Sequence, residues 1–285
     1  MKGVKKSKVK DLMTQKPVVA KLPGSREDVL RLLVKHKITG VPVTKKDGTF
    51  MGFVARKHLF AQPEEEQLVL LMVKDWPTIA PNTKVEDAVI KMVERDVHFL
   101  PVLEKKKVVG ILTPADVLVV VEKAEIEVPV EKLVRSPCIP IFEGTPLSVA
   151  LEIMRIAEVF ALPVLDEIGK LSGIITDRDI FNKSQIDENV AVSDLGLAED
   201  EDSWTWEGLR NIMKLYYEES KIHLPNMFVK DVMVPHPVTV FEKAGVSEVA
   251  RLLRKNDFNQ MPIRDEDDRL TAMIYDLDVL AVLIK

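Results

Sequence analysis

Four short segments of the chain carry a proline among apolar residues. Such runs, bounded by polar or charged positions, are typical of short buried strands. The four segments read GVPV (40–43), FLPV (99–102), ALPV (161–164) and QMPI (260–263). They predict four equivalent strands, so we expect the chain to contain an internal repeat.

Two further landmarks keep the same spacing around these strands. A proline that opens a short apolar stretch lies 24 to 26 residues upstream in each copy, at Pro17, Pro77, Pro137 and Pro237. A polar residue follows 15 or 16 residues downstream of each strand proline, at His58, Asp116, Asp179 and Asp278. Landmarks that stay in register four times indicate four copies of one unit.

Within each copy the pattern predicts the element order β-α-β-β-α. Apolar positions at helical spacing, such as Val89 and Met92, predict an amphipathic helix, which in repeat 2 begins with a capping box of Thr83 and Glu86. In repeat 3, Thr145 before Pro146 predicts a helix N-cap. Two strands separated by a polar turn follow, and then a final helix. The predicted first strands are 18–20, 78–80, 139–141 and 238–240.

The predicted fold class is therefore α/β, more narrowly α+β, with four repeats packed as two pairs. A unit of about 50 to 60 residues is close to the size at which a single core is marginal, so each repeat needs a neighbour. Repeats 1 and 2 form one pair and repeats 3 and 4 the other. The predicted boundaries are a basic tail at 1–8, repeats at 9–62, 68–125, 128–183 and 229–285, and an acidic insert at 184–228.

The insert contains a predicted helix over 204–221 that follows a run of four acidic residues. Acidic residues before a helix N-terminus suit its macrodipole. The apolar face of this helix is compatible with packing across its own module and with docking of a partner.

The charge balance disfavours nucleic acid as the main partner. The net charge is −5, whereas a protein that binds the phosphate backbone normally carries a basic face. The basic run at 1–10 is compatible with a solvated tail or with a binding arm. The aromatic content of 6% also argues against nucleic acid.

A single cysteine, Cys138, excludes an internal disulfide and a metal site built from several cysteines. The longest apolar runs, such as 68–73 and 117–121, are far shorter than the ~20 residues of a membrane-spanning helix. The first residues show no apolar segment of a signal peptide. We therefore expect a cytoplasmic protein without a membrane segment and without a metal ion.

The motif Thr-x-x-Asp occurs where the last strand of repeats 2 and 3 turns into a helix, as Thr113 with Asp116 and as Thr176 with Asp179. At a helix start the unpaired backbone N–H groups favour an anion, a threonine hydroxyl can donate to phosphate, and a carboxylate can accept two ribose hydroxyls. The same motif is also a variant of the capping box, especially with Pro114 at the first helical position. The residues alone leave both interpretations open.

Together the repeats resemble the CBS domain family, named after cystathionine beta-synthase. The resemblance rests on ALPVLDEIGKLSGIITDRDI in repeat 3 and FLPVLEKKKVVGILTPADVL in repeat 2, and it covers nearly the whole chain apart from the tail and the insert. Paired repeats of this family are called Bateman modules. Four repeats in two modules are similar in arrangement to the gamma subunit of AMP-activated protein kinase, which senses nucleotides.

The resemblance implies two clefts that bind an adenine nucleotide, one in each module. In the family the aspartate contacts ribose, the hydroxyl residue contacts phosphate or sugar, and adenine lies against the first strand and the apolar-Pro-apolar strand. By position, the repeat 2 cleft comprises Thr78, Ile79, Ala80, Leu100, Pro101, Thr113 and Asp116. The repeat 3 cleft comprises Cys138, Ile139, Pro140, Leu162, Pro163, Thr176 and Asp179, with Arg178 near phosphate.

Other positions resemble the family less closely. His98 resembles a phosphate-facing histidine of the gamma subunit, although a hydrogen-bonded structural histidine fits as well. Repeat 1 has Ala55 and His58 in place of Thr and Asp; its Arg56, Lys57 and His58 either add positive charge to the neighbouring cleft or form a solvated basic face. Repeat 4 keeps Asp278 but has Tyr275 in place of Thr, where a ring either stacks on a base or blocks the cleft.

The sequence contains no catalytic constellation and no Gly-rich phosphate loop. We expect a regulatory sensor of adenine nucleotides (AMP, ADP, ATP or an S-adenosylmethionine-like compound) with no enzymatic activity and no cofactor. It acts through a protein partner or its own oligomer, such as a dimer. The alternatives are a nucleic-acid-associated regulator and a scaffold with empty clefts that docks a protein partner.

Overall fold

The computed structural model describes residues 7–62, 65–180 and 227–284. The predicted insert helix over 204–221 lies outside the described residues. Repeats 1 and 2 follow the predicted element order, each preceded by a short additional helix. Repeat 1 contains α1 (Val9–Leu12), β1 (Thr14–Gln15), β2 (Ala20–Lys21), α2 (Arg26–His36), β3 (Gly40–Thr44), β4 (Phe50–Ala55) and α3 (Arg56–Ala61). Repeat 2 contains α4 (Leu68–Leu71), α5 (Val85–Arg95), β5 (Leu100–Glu104), β6 (Lys107–Leu112) and α6 (Pro114–Lys123).

Repeats 3 and 4 follow the same order. The first opens with a 3₁₀ turn at Val130–Leu133, and the second ends with one at Ala281–Ile284. Repeat 3 contains β7 (Ile141–Phe142), α7 (Leu147–Ala157), β8 (Ala161–Leu165), β9 (Leu171–Thr176) and a helical stretch described over 177–180. Repeat 4 contains α8 (Val229–Val232), β10 (Val234–Pro235), β11 (Val240–Phe241), α9 (Val246–Asn256), β12 (Gln260–Arg264), β13 (Leu270–Tyr275) and α10 (Asp276–Leu280).

Each repeat is built around a small sheet with the proline-containing strand in its interior. In repeat 1, β3 is parallel to β2 and antiparallel to β4, and β8 has the same relationships to β7 and β9 in repeat 3. The strand prolines Pro42, Pro101, Pro163 and Pro262 are all buried. Their recurrence in the sequence therefore reflects one buried strand that is repeated four times.

The opening segment of each repeat lies on its pair partner. The backbone N–H groups of Val9, Leu68, Val130 and Val229 donate to carbonyls of the neighbouring repeat, and all four side chains are fully buried. The acceptors are Thr83, Gly24, Ala244 and Thr145, at 3.0, 3.1, 2.9 and 2.9 Å respectively. This reciprocal exchange joins repeat 1 to repeat 2 and repeat 3 to repeat 4, so the predicted pairing is confirmed.

A glycine in the last strand allows this close approach. In repeat 1 a Cβ atom on Gly52 would lie 2.6 Å from the carbonyl oxygen of Val73, which belongs to the opening segment of repeat 2. The adjacent residue Phe53 exchanges two backbone hydrogen bonds with Val73, of 3.0 and 2.9 Å. A side chain at position 52 would push these backbones apart.

The predicted starts of several elements were wrong by one or two residues. The first strands begin at Ala20, Ile141 and Val240 rather than at 18, 139 and 238, and the repeat 2 equivalent is only a bridge between Ile79 and Val102. The Thr83–Glu86 capping box does not form, because α5 begins one residue later with Lys84 as its N-cap. For the same reason Pro146 rather than Thr145 is the N-cap of α7.

The chain divides into two compact units. The first contains Met1–Arg135, Lys243–Asn259 and Ile274–Lys285, and the second contains Ser136–Glu242 and Gln260–Met273. In the first unit α6 packs against α9 and α10, a contact between repeats 2 and 4 that the sequence did not predict. The second unit has its own core, which includes Ile141, Leu147, Leu162, Val164 and Ile175. In the described part of the chain, no helix is long and apolar enough to cross a bilayer.

Candidate functional site

The helix that follows the last strand begins in the same way in all four repeats. The side chain of the third helical residue accepts a hydrogen bond from the backbone N–H of the N-cap residue, which directly precedes the helix. This bond satisfies a donor left unpaired at the helix start. The acceptors are His58 (Nδ1, 3.0 Å), Asp116 (Oδ2, 2.8 Å), Asp179 (Oδ2, 2.9 Å) and Asp278 (Oδ2, 3.2 Å), bonded to Ala55, Thr113, Thr176 and Tyr275. The capping interpretation of Thr-x-x-Asp therefore describes these residues directly.

Capping uses only one oxygen of Asp116. Its Oδ2 atom accepts from the backbone N–H of Thr113 and from the Thr113 hydroxyl, at 2.8 and 2.9 Å. Within the described residues, Oδ1 accepts no hydrogen bond. The carboxylate is half-buried, and burial raises the pKa of Asp116 despite the two hydrogen bonds from Thr113, which act to lower it. A ligand hydroxyl that reached Oδ1 would offset part of this desolvation.

Asp179 has the same arrangement. Its Oδ2 atom accepts from the Thr176 backbone and hydroxyl, while the Thr176 hydroxyl oxygen accepts the Asp179 N–H at 3.3 Å. Among the residues that the structure describes, Oδ1 of Asp179 has no hydrogen-bond partner. Arg178, next to it, is exposed. Repeats 2 and 3 thus each present a half-buried carboxylate that is fixed by its cap and has one oxygen to offer.

The strand pairing of repeat 2 brings the predicted adenine-contacting segments together. The N–H of Ile79 donates to the carbonyl of Pro101 at 3.1 Å, and its carbonyl accepts from Leu103 at 2.8 Å. Leu100 pairs with Leu112, the residue just before Thr113. The segment around Ile79, the proline strand β5 and the end of β6, which leads into Thr113, are therefore consecutive neighbours.

A cavity of about 310 Å³ opens at one edge of this sheet. The predicted residues Thr78, Ile79 and Ala80 line it, whereas Leu100, Pro101, Thr113 and Asp116 do not. The remaining lining residues, which sequence reasoning missed, are Thr83, Asp87, Lys91 and Leu103. The available signal was the spacing of Asp87 and Lys91, because residues four apart lie on the same face of a helix.

The remaining predicted binding residues of repeat 3 differ in burial, and they lie on two segments of the chain. Cys138 and Ile139 are half-buried and precede β7, and Pro140 is exposed. Burial raises the pKa of the Cys138 thiol. Leu162 and Pro163 are buried in β8, where Pro163 pairs with Ile174.

Aromatic side chains pack beside the helix start of repeat 1. Phe53 stacks on Trp76 and on Phe99, with ring centroids 4.6 and 5.2 Å apart, and Trp76 lies edge-on to His58 at 5.7 Å. The indole N–H of Trp76 donates to the carbonyl of Phe99 at 2.9 Å. Burial, with a smaller effect from the charge of Lys57, lowers the pKa of His58 to about 4. His58 is therefore neutral near pH 7, and Arg56 at the same helix start is half-buried.

At the helix start of repeat 4, Arg135 and His98 contact buried carboxylates. Asp278 is 1% exposed, and its Oδ1 accepts from Nε of Arg135 at 2.7 Å. Asp276 is 3% exposed and lies 3.2 Å from Nε2 of His98. His98 is thus placed against a carboxylate of repeat 4. Tyr275, which links β13 to α10, is half-buried. Asp278 differs from Asp116 and Asp179 because both of its oxygens are used.

No group of three or more His, Cys, Asp or Glu side chains in the described ranges is arranged to hold a metal ion.

Comparison with known proteins places these features in context. A family model described as the CBS domain matches residues 9–64, 67–123, 130–185 and 229–285. The chloroplastic CBS domain-containing protein CBSX2 of Arabidopsis thaliana is 31% identical over 131 residues, which is 46% of this chain and 52% of the relative. The chain therefore spans about half the length of that relative.

Two solved archaeal structures match almost the whole chain. An uncharacterized conserved protein from Pyrococcus horikoshii is 26% identical with a TM-score of 0.68, and the match covers 97% of this chain and 100% of that one. Protein MJ1225 from Methanocaldococcus jannaschii, proposed to be an archaeal homologue of g-AMPK, is 18% identical with a TM-score of 0.75, covering 97% and 99%. At that identity the second match shows the fold alone.

Proposed function

Because this chain belongs to the CBS domain family, we propose that it is a regulatory protein that binds an adenine nucleotide or adenosyl compound at the helix starts of repeats 2 and 3. It carries out no chemical reaction. Ligand binding changes the balance between two arrangements of the paired repeats, and a protein partner or a second copy of the chain reads this change. A ligand has this effect only if it binds the two arrangements with different affinities.

The observation that supports the proposal best is that the Asp116 carboxylate uses Oδ2 for the cap and leaves Oδ1 without a hydrogen-bond partner in the described residues. The cap fixes this side chain with Oδ2, so that binding requires little further ordering. The ribose of a nucleoside offers adjacent hydroxyls that can donate to Oδ1. The neighbouring segment 78–80 supplies apolar and backbone groups for a base, since it is joined to β5 through Ile79.

The differences between repeats support two sites rather than four. Repeat 1 has a neutral His58 in place of the carboxylate, next to packed aromatic rings. In repeat 4 the carboxylate of Asp278 is paired with Arg135. Neither His58 nor Asp278 offers a carboxylate oxygen without a partner in the described chain, so we expect binding to saturate at two ligands.

Calorimetric titration with AMP, ADP, ATP and S-adenosylmethionine tests the proposal. We expect at least one compound to bind, and each of Asp116→Asn and Asp179→Asn to remove one site. Asparagine retains an oxygen that can accept the capping N–H but loses the charge, so the effect of the ligand contact is separated from that of the cap. Native mass spectrometry of the same samples gives the ligand count and the subunit count.

Asp11→Asn is the matched control. Asp11 caps α1 with the same geometry, accepting the Lys8 N–H at 2.9 Å, but its side chain is exposed. It should bind ligand like the wild type. The proposal is wrong if none of the four compounds binds, or if binding is unchanged in the Asp116→Asn, Asp179→Asn double variant.

A further inference from the structure

The cavity at the edge of repeat 2 contains two opposite charges that do not pair with each other. Asp87 and Lys91 both line it, four residues apart on α5. Within the described part of the chain, neither forms an ion pair within 4 Å. Instead, Nζ of Lys91 donates to the backbone carbonyl of Thr78 at 2.9 Å. This contact fixes the ammonium group at the cavity wall and leaves two of its three N–H donors for another acceptor.

Only repeat 2 has an acidic and a basic residue at these two helix positions. The four equivalent helices α2, α5, α7 and α9 each have 11 residues, so their positions correspond directly. An acid at the third position is combined with a base at the seventh only in α5. The corresponding residues elsewhere are Asp28 and Leu32, Val149 and Ile153, and Glu248 and Leu252. The pair is therefore not a requirement of the repeat itself, whose core uses other faces of the helix.

The remaining lining groups define the rest of a ligand. Ile79 and Leu103 supply apolar surface, and Thr78 and Thr83 supply hydroxyl groups. The volume of about 310 Å³ is at the lower end of the range for small-molecule pockets. A phosphate ester fits poorly because the Asp87 carboxylate opposes it, and a simple cation is opposed by Lys91.

We infer that this cavity binds a free apolar amino acid, whose ammonium group contacts Asp87 and whose carboxylate contacts Lys91. The apolar side chain of the ligand packs against Ile79 and Leu103. This site uses different charged groups from the nucleotide site proposed above, since neither Thr113 nor Asp116 lines the cavity. It shares the segment 78–80 with that site, so the two ligands are expected to influence each other's affinity.

Calorimetric titration of the full-length protein with L-alanine, L-valine, L-leucine and L-methionine tests the inference. We expect at least one to bind, and the methyl ester and N-acetyl derivative of that amino acid to bind at least about tenfold more weakly, because each lacks one charge. These ligand controls use the wild-type protein and do not depend on how a variant folds. Equal binding of either derivative would overturn the inference, as would failure of all four amino acids to bind.

Protein variants locate the site. Asp87→Asn and Lys91→Gln should each weaken amino acid binding about tenfold while leaving adenine nucleotide binding detectable. Glu248→Gln changes the equivalent residue of α9 and should bind the amino acid like the wild type. Asp116→Asn should also retain amino acid binding, so failure of this inference and failure of the nucleotide proposal give different results. Amino acid binding that persists in the Asp87→Asn, Lys91→Gln double variant would refute the assignment.

Discussion

The imidazole Nδ1 of His58 accepts a hydrogen bond of 3.0 Å from the backbone N–H of Ala55. In the other three repeats an aspartate oxygen occupies this position. Histidine can accept at Nδ1 only when that nitrogen carries no proton, so the cap requires the neutral ring. The half-buried location acts in the same direction, and the pKa of His58 is lowered to about 4.

The His58 cap should weaken in acid. In the unfolded chain His58 has an ordinary pKa near 6.5, so it binds a proton at a higher pH than in the folded protein. Its contribution to stability is therefore fully present above pH 6.5 and is lost progressively as the pH falls toward 4. Urea unfolding of the wild type and of His58→Asn, measured between pH 4 and 8, should show that the asparagine variant lacks this component. Parallel stability profiles for the two proteins would contradict the assignment.

The register of the repeats was predictable from the sequence, but the roles of individual polar residues were not. The prolines of the buried strands, together with His58 and its equivalents, located all four sheets and helix starts. Spacing alone could not show that His58 is a neutral cap rather than a source of positive charge, because this depends on burial and on which ring nitrogen accepts. Arg135 lies within repeat 3 but is not one of the residues that recur in the four repeats, so its contact with Asp278 left no periodic signal.

The cavity was missed for a related reason. Asp87 and Lys91 occur on a helix whose apolar stripe consists of Val85, Ala88, Val89 and Met92, so the pattern places them on a solvent-facing side. Only the structure shows that the edge of the sheet approaches this side, since Lys91 reaches the carbonyl of Thr78. The pattern predicted a strand at 78–80 and the family resemblance implied that it contacts adenine; these residues do line the cavity.

His98 should stabilise the protein more at low pH than at high pH. Burial acts to lower its pKa, but the hydrogen bond and charge of Asp276, with a smaller contribution from Asp96, outweigh burial and Lys57 and raise it. A raised folded pKa gives a contribution that is fully present below about pH 6.5 and is lost as the pH rises through the folded value. We expect the stability difference between the wild type and His98→Gln to be larger at pH 6 than at pH 8.5. In an NMR titration, Asp276→Asn should lower the pKa of His98.

Removing Arg135 should destabilise the helix start of repeat 4. Its guanidinium pairs with the Asp278 carboxylate, whose side chain is 2% exposed, whereas the Arg135 side chain is 42% exposed. Loss of one partner leaves a buried charge uncompensated, but solvent reaches the arginine side, so we expect Arg135→Met to cost about 2 kcal/mol rather than the larger values of fully buried pairs.

A double variant distinguishes the loss of the Arg135–Asp278 ion pair from other effects of the substitution on stability. Arg135→Met combined with Asp278→Asn removes both charges of the pair and so leaves no unpaired carboxylate at position 278; it should therefore be more stable than Arg135→Met alone. Equilibrium urea unfolding at pH 7 is measured for four proteins: the wild type, Arg135→Met, Asp278→Asn and the double variant. If the double variant loses the sum of the two single effects, the two side chains are not coupled and the ion pair does not stabilise this helix start.

Ligand affinity should fall in acid through Asp116. The carboxylate accepts ligand hydroxyls more strongly in its charged form than when it is protonated, and burial raises the pKa of Asp116 above the ordinary aspartate value. Binding therefore becomes weaker as the pH falls through that raised pKa, since a proton must be released for the ligand to bind. Adenosine is the suitable probe because it lacks a phosphate that titrates near pH 6. In the Asp179→Asn variant, which retains only the repeat 2 site, the dissociation constant of adenosine should rise as the pH is lowered from 7 to 4.5. Adding Asp116→Asn should remove this pH dependence along with most of the affinity. A dissociation constant that does not change over this range would show that the ribose hydroxyls are held by other groups.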